Sequence, residues 1–179
     1  MENKSNKQRK QERFDDNLAH WIAYWRANPH RFVTEYLMNT NGLFLFQKIL
    51  IYFMFKSDLF LFIAARGLGK SFLTSIFATA YSILYPGTKI CIISASKNQS
   101  QLIISSKIKA ELADRYPAIA REILEIKTGL NDSSVKFKNG SFITVVVGND
   151  NARGYRSNIN IYDESRMLAG DLISKVFKP

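Results

Sequence analysis

The sequence predicts an α/β fold in which helices flank a mostly parallel β-sheet. Three observations favour this class. From Leu59 onward, short apolar runs typical of strands covered on both faces alternate with helical segments. The pair Asn139-Gly140 stands between two strand-like runs, which predicts an antiparallel hairpin added to the sheet. The length of 179 residues suits one domain with a sizeable core.

Composition and charge narrow the class of protein further. The chain is 46% hydrophobic and 22% charged, with a formal net charge of +10. Such a balance indicates a globular protein with a polyanionic partner, nucleic acid before an anionic membrane surface. A solvated basic face without a partner is the alternative. The single cysteine, Cys91, excludes a disulfide framework, and its apolar surroundings predict a buried, inert thiol.

The N-terminal 42 residues are predicted to form a basic arm followed by a helical segment. Residues 1–13 are polar, carry five Lys or Arg side chains and show no secretory signal, which predicts a flexible arm. Residues 14–40 place aromatic and aliphatic side chains at helical spacings, and Asn28-Pro29 divides them into two helices. We expect these aromatic side chains to pack in the core.

The most apolar stretch runs from Leu43 to Ala65. Its length approaches that of a membrane span, but charges within a span are costly. The charged residues that interrupt it are Lys48, Lys56 and Asp58. The stretch instead predicts a helix over residues 46–55, a turn at 56–58 and a buried strand over 59–64. We therefore expect a cytoplasmic protein without membrane contact.

A phosphate-binding motif follows this predicted strand. Gly69-Lys70-Ser71 matches the end of the pattern G-x-x-x-x-G-K-[ST], although Ala64 stands where the first glycine is expected. Gly67 and Gly69 permit a loop whose backbone N–H groups face an anion at a helix N-terminus. Lys70 is then expected to reach the β- and γ-phosphates, and the Ser71 hydroxyl to bind Mg²⁺. The strand before and the helix after favour a genuine phosphate loop over a chance match.

Two adjacent acids end the last predicted strand. In the run "INIYDES", three apolar residues within Ile159 to Tyr162 lead into Asp163 and Glu164. The run follows a helix that ends at Pro86-Gly87, a strand over "KICIISAS" and the hairpin. A carboxylate at such a strand end can hold Mg²⁺, and its neighbour can activate a water molecule. After a phosphate loop, the pair indicates hydrolysis of a nucleoside triphosphate rather than binding alone. Ordinary surface acids are the alternative.

Two arginines are candidates for stabilising the charge of the transition state. Arg66 belongs to the phosphate loop, and Arg153 lies in a glycine-containing loop before the acidic strand end. Such a guanidinium raises the rate of some GTPases by roughly 10³–10⁵. The alternative for Arg153 is a surface salt bridge or a contact with DNA phosphate.

The order of these motifs resembles the ATPase domain of the large terminase subunit of tailed bacteriophages and prophages. The segments that carry the resemblance are, in order, "FQ", "ARGLGKS", "SASKNQSQ", "FKNGSFITVV", "ARGYRSN" and "IYDES". They span about residues 43–168, and their order is more specific than any one of them. A phosphate loop without its first glycine but with an early arginine is usual in that family.

The resemblance implies a role for each candidate residue. It implies a P-loop NTPase of the RecA/ASCE type that uses ATP and Mg²⁺, with Phe46 and Gln47 in contact with adenine. The residues implied around the phosphates are Arg66, Gly67, Gly69, Lys70 and Ser71, and those implied to bind Mg²⁺ are Ser71 and Asp163. Those implied in catalysis are Glu164, Arg66 and Arg153, the last as a finger that acts across subunits.

The resemblance also implies partners and domains. Full-length members move double-stranded DNA into a procapsid, as rings that engage the portal and the small subunit in the host cytoplasm. Residues 1–42 would form the arm and N-terminal helical segment, and residues 43–179 an ATPase domain without the C-terminal nuclease. Because the sequence stops at Pro179, we expect either an excised or truncated form or a gene split by an insertion. Such a form, whether monomeric or assembled, should bind nucleotide more surely than it hydrolyses it.

Two other interpretations stay open. Helicases that also use a glutamine before the phosphate loop normally end the acidic motif with Asp or His, whereas this chain has Arg166 there. They also need a second RecA-like domain. A non-catalytic module that docks to DNA, a portal or a partner subunit fits the basic charge as well as a motor does.

Overall fold

A computed structural model of the chain describes residues 6–40, 42–65, 67–94, 96–129, 132–147 and 156–163. It contains a five-stranded mixed β-sheet flanked by helices. The helices are α1 (Asn6–Ala27), α2 (Pro29–Arg31), α3 (Leu45–Lys56), α4 (Lys70–Leu84), α5 (Lys97–Leu102) and α6 (Pro117–Glu122), with π-helical segments at Phe32–Leu37 and Ile103–Ala113. The strands are β1 (Lys89–Ser94), β2 (Ile123–Thr128), β3 (Ser133–Phe137), β4 (Phe142–Val147) and β5 (Ile159–Tyr162). The predicted α/β class, with helices flanking a sheet, is confirmed.

The sheet has the strand order β2-β3-β4-β1-β5. β1 pairs in parallel with β4 on one side and with β5 on the other, so that Ile92 lies opposite both Val145 and Ile161. The carboxyl ends of these three strands therefore meet at one edge of the sheet. β2 with β3 and β3 with β4 pair in antiparallel fashion. The described sheet is thus evenly mixed, and the prediction of a mostly parallel sheet is wrong for this part of the chain.

The hairpin predicted from Asn139-Gly140 is confirmed. It joins β3 to β4, and Gly140 takes a φ of 83°, a left-handed conformation that glycine adopts without steric cost. The Asn139 side chain donates to the Ser82 carbonyl oxygen at 2.8 Å, which ties the turn to the end of α4. β2 was not expected, because its sequence "ILEIKT" lacks a regular alternation and its pairing contains a bulge after Ile123.

The N-terminal region is helical from Asn6, so the predicted arm is wrong for residues 6–13; residues 1–5 lie outside the described part. Lys, Gln, Arg and Glu, which dominate this stretch, are all good helix formers. The break predicted at Asn28-Pro29 is confirmed, because α1 ends at Ala27 and a new helix begins at Pro29. The basic side chains of residues 7–13 lie exposed along α1.

The buried strand predicted over residues 59–64 is also wrong. The side chains of Leu59, Leu61 and Ile63 are 78%, 75% and 84% exposed, while alternate residues such as Phe62 turn inward. A strand is buried when neighbouring strands pair with both its edges and other layers cover both its faces. Within the described residues this segment joins no strand ladder, so one row of its apolar side chains stays in solvent.

Helix α4 separates two hydrophobic cores. Leu73 and Ile76 pack with the N-terminal helices and α3, in a cluster that includes Val33 and Ile51. Ala78, on another side of α4, packs with the sheet and the π-helical segment after α5. Fully burying a Leu or Ile side chain contributes about 1.5–3 kcal/mol. Contacts with both cores therefore fix the position of α4 and of the loop that precedes it.

The C-terminal end of α4 is held by an arginine from α1. The Arg26 guanidinium donates two hydrogen bonds to the Leu84 carbonyl oxygen, from Nε at 3.2 Å and from Nη2 at 2.9 Å, and lies 4.6 Å from the centre of the Tyr85 ring. The last carbonyl groups of a helix have no partner within the helix and carry partial negative charge. Arg26 supplies both a donor and a positive charge at this end.

Replacing Arg26 with alanine is expected to lower the free energy of unfolding by about 1–3 kcal/mol, because a half-buried carbonyl loses its charged donor. Urea unfolding of the variant beside wild type measures the change. Arg31→Ala is the matched control, since Arg31 is exposed and bonds to the Tyr24 hydroxyl. Equal effects of the two substitutions would contradict this role for Arg26.

His30 gives the fold a pH dependence with a defined sign. Burial, followed by the nearby charge of Arg31, lowers the pKa of His30, which also packs edge-on against Tyr52. The unfolded chain therefore binds a proton more readily than the folded one, so this group costs stability as the pH falls below about 6.5. We expect His30→Phe to reduce the loss of unfolding free energy between pH 7 and pH 5.5, measured by urea titration at each pH. The same substitution at exposed His20 should leave that loss unchanged, and an equal effect at both sites would contradict the assignment.

The prediction of a buried thiol is confirmed. Cys91 lies in β1 with its side chain inaccessible, and burial raises the pKa of its thiol to about 11. The thiol therefore stays protonated near neutral pH, which makes it a poor nucleophile.

No helix in the described part of the chain is long and apolar enough to cross a membrane.

Candidate functional site

A glycine turn leads directly into α4. Gly67 and Gly69 have φ angles of 86° and 77°, both in the left-handed region that other residues rarely adopt. Gly69 is the N-cap of α4, and its carbonyl oxygen accepts the first helical bond, from the Leu73 N–H at 2.8 Å. The N–H groups of the first turn of α4 are therefore directed toward the turn, as anion binding at a helix N-terminus requires.

Lys70 is the first residue of α4, and its ammonium group closes the loop. Its Nζ donates to the Ala64 carbonyl oxygen at 2.8 Å, so the two ends of the segment from residue 64 to residue 70 are joined. Ser71 follows as the second residue of the helix and is half-buried. A bound phosphate would compete with the Ala64 carbonyl for the ammonium group. The carbonyl is the weaker partner, because it carries no formal charge.

Gln47, at the start of α3, lies against this loop. Its side-chain Oε1 accepts the Phe44 N–H at 3.0 Å and thereby supplies one of the missing partners at the N-terminus of α3. Its Nε2 lies so close to Gly69 that a Cβ added there would come within 3.3 Å. Gln47 is buried. The predicted contact residue therefore connects two elements of the site through both ends of its amide.

Two aromatic side chains stand in solvent beside Gln47. Phe44 is 71% exposed and Phe46 is 42% exposed, and their rings lie nearly parallel, 10° apart in orientation with centres separated by 6.0 Å. Exposure of two adjacent phenyl rings leaves aromatic faces open to a planar ligand. Phe46 was predicted from the motif resemblance. Phe44 was not, although the repeated phenylalanine in "LFLFQ" was the available signal.

Asp163 lies at the carboxyl edge of the sheet, directly after β5. Its backbone N–H donates to the Ile93 carbonyl oxygen at 2.9 Å, which fixes it beside the end of β1, and its side chain is half-buried. In α/β sheets, ligands bind beyond the carboxyl ends of parallel strands.

A cavity of about 220 Å³ opens at the opposite edge of the sheet, at the amino ends of β1 and β4. It is lined in part by Lys89 and Phe142 and contains none of the predicted site residues.

Three of the predicted site residues, Arg66, Arg153 and Glu164, lie outside the described part of the chain. Among the others, Gln47 lies against the loop that contains Gly69 and Lys70, and Phe46 stands beside Gln47 in α3. Asp163 is fixed by a different element, the pairing of β5 with β1. The roles of all of these residues stay predictions.

Ser71 and Asp163 supply the kinds of oxygen ligand that suit Mg²⁺. In the ranges described, no group of three or more His, Cys, Asp or Glu residues is arranged to hold a metal ion. Mg²⁺ at nucleotide sites commonly uses one or two protein oxygens, with phosphate oxygens and water completing its shell. A hydroxyl and a carboxylate therefore fit a metal ion that arrives with a nucleotide.

Comparison with known proteins adds no relative. No protein-family model matches the chain, and no curated protein matches it significantly. The resemblance to the terminase large subunit therefore depends on the motifs and their order.

Proposed function

We propose that the chain is the ATP-binding and ATP-hydrolysing motor domain of a DNA-packaging terminase large subunit. The observation that carries the proposal is the loop before α4, where two left-handed glycines precede a helix whose first two residues are Lys70 and Ser71. A backbone of this form presents N–H groups, a helix N-terminus and an ammonium group to one anion. The phosphates of a nucleoside triphosphate can use all three.

The chemistry of each proposed site residue suggests its role in ATP hydrolysis. Lys70 would leave the Ala64 carbonyl and bind the β- and γ-phosphates, while the Gly67 and Gly69 amides hold the phosphate oxygens. Ser71 and Asp163 would hold Mg²⁺, which when bound neutralises charge on the phosphates. Glu164 would orient and deprotonate the attacking water. Arg66 would add positive charge at the loop, and Arg153 would reach the site of a neighbouring subunit in a ring.

DNA is the proposed polyanionic partner. The net charge of +10 favours binding to a phosphate backbone, and the exposed basic residues of α1 place part of that charge on one helix. In the packaging assembly, hydrolysis would drive movement of duplex DNA into a procapsid through the portal, with the small subunit as a further partner. The host cytoplasm is the proposed location.

Isothermal titration of the full chain tests the proposal. We expect saturable binding of ATP at micromolar concentrations that strengthens with Mg²⁺, and binding of duplex DNA that weakens steeply as salt rises. A chain that binds neither ATP nor inorganic tripolyphosphate would rule out the proposal. Binding of DNA without nucleotide would favour the non-catalytic docking module instead.

A further inference from the structure

The cavity at the amino ends of β1 and β4 lies at the edge of the sheet opposite Asp163, and two cationic residues line it. They are Lys89 and Arg156, and the hydroxyl-bearing residues Thr144 and Ser157 line it as well. No carboxylate stands among the described lining residues. A cleft lined by one sign of charge concentrates ions of the opposite sign. The cavity therefore favours an anion.

Hydrogen bonds hold the backbones of the two cationic residues together. The Lys89 N–H donates to the side-chain Oδ1 of Asn158 at 2.8 Å, and the Asn158 N–H donates to the Lys89 carbonyl oxygen at 2.8 Å. The Ser157 hydroxyl also donates to Asn160 Oδ1 at 2.7 Å. These bonds fix residues 156–158 against the first residue of β1, so the backbone of the cavity is held without a ligand.

Lys89 and Arg156 are exposed, and neither forms an ion pair within the described part of the chain. Two other exposed lysines differ, because Lys109 and Lys127 each place Nζ 3.0 Å from an aspartate oxygen. Like charges at one cavity repel each other, and an anion between them relieves the repulsion. A phosphate group suits both cations, since ammonium and guanidinium groups form short, charge-assisted bonds with its oxygens.

Positive charge continues from the cavity along the same edge of the sheet. The strand order places four exposed cations along it: Arg121 before β2, Lys138 after β3, Lys89 at the start of β1 and Arg156 before β5. Glu122 is the one acidic residue in the described turns at this edge. Neighbouring strands lie about 4.8 Å apart, so five strands span roughly 19 Å, over which one strand of DNA presents about five phosphates.

We propose that this edge of the sheet binds the phosphate backbone of duplex DNA, with one phosphate held between Lys89 and Arg156. The inference rests on the DNA-binding part of the proposed function and not on its nucleotide site. It assigns the DNA to the amino ends of β1, β4 and β5, at the edge opposite Asp163. Contacts with phosphate carry no sequence information, so binding there should not depend on sequence.

Anisotropy of a fluorescent DNA duplex, titrated with the full chain at several salt concentrations, tests the inference. Lys89→Ala/Arg156→Ala removes one phosphate contact, which should weaken duplex binding about eightfold at about 0.1 M salt. The slope of log affinity against log salt should become shallower by about 0.9. Two duplexes of unrelated sequence should lose affinity by the same factor.

A matched control removes the same charge elsewhere. Lys109→Ala/Lys127→Ala removes two cations that are already paired with aspartates, and the affinity and slope should stay near those of wild type. Lys89→Arg keeps the charge at the cavity and should retain most of the affinity. Lys7→Ala/Lys10→Ala tests the other candidate surface, the exposed basic residues of α1, and should weaken binding less than the cavity variant does.

Equal losses in the cavity variant and in Lys109→Ala/Lys127→Ala would overturn the inference, because net charge alone would then explain both. A larger loss in Lys7→Ala/Lys10→Ala would overturn it by assigning the DNA to α1. Urea unfolding checks each variant, and Lys89→Gln/Arg156→Gln replaces the alanine pair if that pair is destabilised.

Titration with inorganic phosphate separates a DNA surface from a site for a free anion. If the cavity variant loses affinity for inorganic phosphate but binds the duplex like wild type, the assignment to DNA is overturned. Nucleotide binding is measured separately with ATP and tripolyphosphate. If wild type binds ATP and the cavity variant keeps full duplex affinity, this inference fails and the proposed nucleotide site stands. If wild type binds neither ATP nor tripolyphosphate, the proposed function fails whatever the duplex titrations show.

Discussion

Replacing Lys70 with alanine is expected to abolish nucleotide binding at micromolar concentrations, a loss of about 100-fold or more in affinity. Its ammonium group is the point charge of the loop, and a bound triphosphate would face it at the N-terminus of α4. Titration with a fluorescent ATP analogue measures the loss. Wild-type affinity in the variant would contradict the assignment of this loop as the phosphate-binding site.

The control for this variant must match the change in charge and check the fold. Lys138→Ala removes one positive charge from the exposed turn between β3 and β4, and nucleotide affinity should not change. Lys70 also bonds to the Ala64 carbonyl oxygen, so urea unfolding of both variants is needed. We expect Lys70→Ala to stay folded, because the two cores that hold α4 do not include this side chain.

Replacing Glu164 with glutamine is expected to leave binding of Mg·ATP nearly intact and to remove hydrolysis in any assembly that hydrolyses ATP. The amide keeps the size of the carboxylate and one acceptor oxygen but cannot accept a proton from water.

Asp163→Asn should differ, because a weaker Mg²⁺ ligand lowers the affinity for Mg·ATP more than that for ATP alone.

Phosphate release during turnover, measured beside binding of labelled ATP, tests the Glu164 prediction. Glu35→Gln, an exposed substitution of the same kind, serves as the control and should retain full turnover. Full turnover by the Glu164 variant would move the role of general base to another residue, with Asp163 as the first candidate.

The parts of the fold that sequence predicted well are those with local signals. Helix α4 begins at the glycine turn and ends where Pro86-Gly87 prevents continuation, so both of its ends are encoded nearby. The hairpin at Asn139-Gly140 is encoded in the same local way. The glycine turn before α4 was predicted for the same reason, since the turn and the first residues of the helix are adjacent in sequence.

The parts that sequence predicted wrongly or missed depend on partners distant along the chain or on two local preferences that compete. Residues 59–64 have the apolar run of a buried strand, but burial needs pairing neighbours that a composition pattern cannot reveal. The basic stretch before Phe14 has the charge of an arm and also the propensity of a helix, and the helix extends through it. The placement of Gln47 against Gly69, and the bond from Lys70 to Ala64, arise from tertiary contacts that sequence spacing does not encode.

Hydrogen–deuterium exchange of the full chain with and without saturating Mg·ATP shows whether the turn before α4 holds the phosphates. We expect slower exchange of the backbone amides from Gly67 to Phe72, because those N–H groups would bond to phosphate oxygens, with a smaller change around residues 44–48. Saturating ATP binding that leaves the exchange of residues 67–72 unchanged would contradict the proposed nucleotide site.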